Sequence, residues 1–135
     1  MEVMNRENVP LTVRLRLVSA NSGRPVPGYE VDLWHCDRHS HDRESRGRQI
    51  SDPSGWVAFP SAFPASSAGH WPHMHFEVLR NSDTIHSAQL ALPGDSRHTM
   101  SLTSDTCFTG GWSLEIPSVT GDTHRGLVAT RTVGL

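Results

Sequence analysis

The 135-residue sequence contains no lysine; all twelve of its basic residues are arginine. Chemistry centred on a Schiff-base lysine or a phosphate-loop lysine is therefore excluded. Tyrosine is nearly absent as well, with Tyr29 alone in the chain. Two cysteines, Cys36 and Cys107, are too few for a disulfide-stapled scaffold and read as free thiols. No stretch reaches the roughly 18 apolar residues of a membrane helix, and the first ten residues lack a signal-peptide run. The cytoplasm is the expected location. Twelve arginines against 14 acidic residues give a net charge of −2, which argues against nucleic acid or a membrane surface as partner. The length fits one domain, residues 1–135, able to bury roughly two thirds of its unfolded surface.

What the chain does have is nine histidines, nine prolines, eleven glycines and several runs of alternating polarity. In Leu11–Val18 the residues Leu11, Val13, Leu15 and Leu17 alternate with Thr12, Arg14 and Arg16, the period of a half-buried strand. Tyr29–Cys36 alternates too, with Val31, Leu33 and His35 on one face and Asp32, Trp34 and Cys36 on the other. Trp56–Phe59, Ile85–Leu92 and Gly126–Val133 are further strand candidates. In His73–Arg80, His73, His75, Glu77 and Leu79 share one face, opposite Met74, Phe76 and Val78. Turn signals at Asn21-Ser22-Gly23 and Asp52-Pro53-Ser54-Gly55 separate these runs. Asp37–Arg48 has no large apolar side chain and reads as a solvated or functional loop. No segment keeps a helical period beyond one turn, so the expected fold is all-β, a sandwich or barrel.

His73-x-His75 is the strongest local chemical signal. Residues i and i+2 of a strand point to one face about 6.5 to 7 Å apart, close enough for two imidazoles to meet at one metal ion. His35, His39 and His41, with Asp37 and Asp42, follow a neighbouring strand and suit a borderline transition metal better than calcium. The plainer readings are a chance HxH pair and a merely solvated polar loop.

Several ordered stretches resemble the intradiol ring-cleavage dioxygenases: SGRPVPGYEVDLWHCD, RGRQISDPSGWVAF, HWPHMHFEV, HSAQLALPGD and the closing RGLVATRTVGL. The resemblance implies a β-sandwich of that type and a non-haem iron held by two histidines and two tyrosinates. It assigns the histidines to His73 and His75. The tyrosine positions fall at Asp42 and Ser67, and an arginine near the first histidine becomes His70. Tyr29 matches neither tyrosine position.

Phenolates are strong donors that hold iron as Fe(III), so their loss favours Fe(II) or another divalent transition metal. The surviving set is then His73, His75 and Asp42, two histidines and a carboxylate, with His41, His39 or His70 as alternatives for the third place. In a metal-free enzyme the same pocket runs acid–base chemistry through His70, His73 and His75, whose ordinary pKa near 6.5 suits proton transfer. A ligand-binding or metal-binding protein without catalysis is the third alternative. Arg46 and Gln49 match the RGRQ run bordering the family's pocket, and Gln89 falls where the family places a polar group beside the site. Trp34, Trp56 and Trp112 are read as core, and Trp71 as the pocket rim. The resemblance further implies a small aromatic or phenolic substrate, O₂ as co-substrate, a homo-oligomer, and a role in secondary metabolism.

Overall fold

A computed structural model describes residues 9–35, 47–62, 73–92, 113–122 and 124–135. Among these residues nine strands run in chain order: β1 (Pro10–Val18), β2 (Glu30–His35), β3 (Gly47–Ile50), β4 (Trp56–Ala62), β5 (His73–Arg80), β6 (Asp83–Ala91), β7 (Ser113–Glu115), β8 (Ser118–Asp122) and β9 (Gly126–Gly134). They form a four-stranded sheet, β4-β1-β9-β8, and a five-stranded sheet, β3-β2-β5-β6-β7. The described residues contain no helix.

The two sheets share one core because alternate residues of their central strands are apolar. Leu11, Val13, Leu15 and Leu17 of β1 are at most 1% exposed, and Met74, Phe76 and Val78 of β5 are fully buried. Burying a side chain of the size of Phe76 contributes roughly 1.5–3 kcal/mol. The β1 alternation and both faces of β5 are therefore as the sequence pattern predicts. All six strand candidates are present, with ends shifted by at most three residues.

Three strands were not anticipated. β3 begins at Gly47, inside the expected loop, while β7 and β8 are short. A second correction concerns Trp56, read from sequence as core. It pairs in register with Arg16, whose side chain faces away from the core, so its indole lies on the outer face of the four-stranded sheet.

Two turns hold the five-stranded sheet and β4 in place. Asn81 and Ser82, both at positive φ (51° and 69°), close the β5–β6 hairpin between the paired Arg80 and Asp83. Successive positive φ values match the right-handed twist of the flanking strands. Before β4, Asp52 Oδ1 accepts hydrogen bonds from the backbone N–H groups of Ser54 and Trp56, each at 2.9 Å. Gly55 completes that turn at φ 86°, where its carbonyl accepts from Leu17 N–H at 2.8 Å.

Candidate functional site

The histidines of the HxH pair are placed by the strand that carries them. Met74, Phe76 and Val78 commit one face of β5 to the core, so His73, His75 and Glu77 take the opposite register positions. That outer face is not open at its centre, since His75 is only 7% exposed. His75 is flanked in register by Trp34 of β2 and Gln89 of β6. The Trp34 and His75 rings stack with centroids 5.6 Å apart and planes 12° from parallel. Gln89, 2% exposed, adds an amide on the other side. A row of indole, imidazole and carboxamide thus crosses three adjacent strands on one face.

Beside this row lies a charged clamp. Asp32, two residues before Trp34 on the same face of β2, is 5% exposed. Arg48 of β3 binds it with both arms, Nε to Oδ1 at 2.6 Å and Nη2 to Oδ2 at 2.9 Å. Its Nη1 also lies 3.1 Å from Oε2 of Glu30. The hydrogen bond to Asp32, and then the charges of Asp32 and Glu30, push the Arg48 guanidinium still further above its ordinary pKa. The arginine is therefore a permanent cation that compensates a nearly buried carboxylate.

Of the residues singled out by sequence, His75 sits at the centre of this face, and His73 holds the matching register position opposite Ala91. His70, His41, Asp42 and Arg46 lie outside the described residues, as do Ser67, Trp71, Trp112, Cys36 and Cys107. Gln49 requires a correction. It pairs with the buried Val31, so it belongs to the opposite face of the sheet from His75, at an exposed edge. The same-face residue of that segment is its neighbour Arg48. Trp34, read as core, instead covers His75. Only the cross-strand register reveals that contact.

The match to solved structures is extensive. The chain aligns over 99% of its length with the dioxygenase domain of a dioxygenase carbohydrate-binding protein fusion from Streptomyces sp. SirexAA-E, covering 84% of that chain at TM-score 0.71 and 22% identity. An intradiol ring-cleavage dioxygenase from Tetranychus urticae is matched at TM-score 0.67 and 20% identity, over 98% of this chain and 83% of that one. The chain has the intradiol ring-cleavage dioxygenase fold. Catechol 1,2-dioxygenase from Acinetobacter sp. ADP1 is similar at TM-score 0.62 and 16% identity, with 99% of this chain covering 54% of that one. No protein-family sequence model and no curated protein sequence matches the chain.

The intradiol fold implies a metal, and the described side chains answer in part. A bis-tyrosinate iron does not fit, because Tyr29 is the chain's one tyrosine and packs against the hydrophobic core. Asp32 is no substitute donor, since both of its oxygens are engaged by Arg48. Among the described residues no group of three His, Cys, Asp or Glu side chains converges. The two imidazole positions of β5 do fit a borderline transition metal, whose remaining protein donors would come from outside the described residues.

Proposed function

We infer that this protein is a divergent dioxygenase-related enzyme acting on a small aromatic or phenolic molecule. The metal would be held by His73 and His75 together with Asp42, His41 or another histidine, and iron or another divalent transition metal suits that set. When bound, such a metal supplies a Lewis-acid centre with open positions for substrate and O₂. The chain's own residues do the rest. Trp34 restrains the His75 ring by stacking, Gln89 offers an amide to a polar substituent, and burial of His75 and Gln89 keeps water from the row.

The observation that carries this reading is the Trp34–His75–Gln89 row, buried at His75 and Gln89, on the face that also carries the His73 position. A core-filling histidine would sit on the opposite face, among Met74 and Phe76. Metal-free acid–base catalysis by the same histidines is the second reading, favoured by the engagement of Asp32 with Arg48.

The test is metal content of untagged protein purified without added metal, compared with His73→Ala and His75→Ala. Stoichiometric iron or another transition metal, lost in both variants, is the expected result. Metal-free protein whose turnover of a catechol or related phenol survives chelation would instead establish the acid–base reading. Turnover without oxygen consumption would exclude ring cleavage, and undiminished activity in both variants would remove the site altogether.

A further inference from the structure

The outer face of the four-stranded sheet carries a second cluster, remote from the histidine row. Arg14 and Arg16 are alternate residues of β1 and point away from the core, like Trp56 of β4, the register partner of Arg16. The Arg14 guanidinium carbon lies over the Trp56 ring, 4.6 Å from its centroid, and that of Arg16 lies at 5.9 Å. Arg16 is pinned further by an Nε hydrogen bond of 3.1 Å to the Ser54 carbonyl.

Neither arginine has a carboxylate partner among the described residues, whereas Arg48 and Arg131 both do. Asp52 is engaged within its own turn by the amides of Ser54 and Trp56. Guanidinium groups held against an indole lose little further side-chain freedom on binding, and their in-plane N–H donors stay available to an oxyanion. Two neighbouring cations repel one another, and an anionic ligand would relieve that repulsion.

The surroundings narrow the ligand. From Arg14 and Arg16 the register runs to Thr130 and Thr132 of β9, and from Thr130 to Ser118 of β8. Ala58 flanks Arg14 on the β4 side. The face thus sets hydroxyl groups beside two positive charges, with Ala58 and Val128 as small apolar contacts. Among the described residues the exposed large hydrophobics Ile50, Ile85 and Ile116 lie on other elements and the Trp56 indole is covered by arginine, so the face has little to insert into a lipid surface. Two cations on a chain of net charge −2 are also too few for the phosphate density of nucleic acid. A ligand rich in hydroxyls with sparse carboxylates is complementary to it.

We propose that Arg14, Arg16 and Trp56 form a binding face for a uronate-bearing oligosaccharide. The arginines pair with its carboxylates, and the threonine and serine hydroxyls of β8 and β9 meet its hydroxyl groups. The site lies on a different sheet from the histidine row and does not depend on any reaction there.

Calorimetry and affinity electrophoresis of the full chain with oligogalacturonate test this directly. Binding that weakens with salt is expected. Arg14→Gln and Arg16→Gln should each raise Kd at least tenfold, while Arg80→Gln, an equal charge change at the exposed end of β5, should leave it unchanged. Circular dichroism on each variant confirms that the fold is retained. The proposal is overturned if oligogalacturonate does not bind or the two arginine variants bind it normally. Equal weakening by Arg80→Gln would mean bulk charge alone, and equal binding of neutral cellohexaose would remove the role of the carboxylates. Arginine-dependent capture of inorganic phosphate, anionic vesicles or single-stranded DNA, without binding of the oligosaccharide, would also overturn it.

Discussion

His86 enters the hydrophobic interior from β6 with a nitrogen left unpaired among the described residues. Its register partner is the fully buried Val78, and its ring lies against Phe76 with centroids 6.0 Å apart and planes tilted by 44°. The Nε2 atom is buried and has no hydrogen-bond partner among the described residues. A buried polar atom left unpaired costs about 1–3 kcal/mol, because it has given up water for nothing. His86→Phe keeps a flat ring against Phe76 and removes the orphan. It should raise unfolding stability by about 1 kcal/mol, the low end of that range because the residue is only half-buried. Urea denaturation reads this as a higher midpoint at unchanged slope. A lower midpoint would show instead that Nε2 is satisfied in solution.

At the scale of the element, the turn before β4 depends on a backbone conformation as much as on its side chains. Gly55 sits at φ 86°, and a Cβ there would run into the Leu17 carbonyl oxygen. Gly23 has a similar φ of 71° but faces open space. Gly23→Ala should therefore cost only the conformational penalty of about 1–2 kcal/mol. Gly55→Ala adds a backbone collision and should cost clearly more, by thermal or urea unfolding of the two variants side by side. Equal costs would mean that the β1–turn contact relaxes freely.

This turn was legible in advance, because Asp-Pro-Ser-Gly announces it. So were β1, β2, β5, β6 and β9, whose apolar residues recur at every second position over most of their length. β3, β7 and β8 were not, for a physical reason. Three of the four residues of β3 are exposed, and β8 is exposed at all but Val119, so neither pattern records a core. The site shows the same divide. His75 could be assigned to the outer face from its own strand, since Met74 and Phe76 flank it. The faces of Gln49 and Trp56, and the Trp34–His75 stack, depend on which residue lies opposite on another strand. That register is a tertiary property.

At the scale of the whole molecule, the two sheets are joined by their apolar core and, among the described residues, by an ion pair that spans them. Arg131 of β9, in the four-stranded sheet, shares the core-facing register of Leu15 and reaches Glu115 of β7 in the five-stranded sheet, Nε to Oε1 at 2.9 Å. Its Nη1 also approaches the Ile116 carbonyl at 3.5 Å. β7 has only three residues and pairs with β6 alone among the described strands. A strand with so few backbone bonds can open without unfolding the rest, and the Arg131 bridge resists that opening. Arg131 is 41% exposed and Glu115 14%, so solvent screening limits the pair to about 1 kcal/mol. Arg131→Met keeps much of the aliphatic stem and removes the charge. Native-state hydrogen exchange should then accelerate about fivefold at amides bonded between β6 and β7, the factor that about 1 kcal/mol implies. Amides bonded between β1 and β9, the central strands of the four-stranded sheet, should accelerate less if Arg131 acts mainly on local opening. Equal acceleration throughout would instead make the ion pair part of the cooperative unit that holds both sheets together.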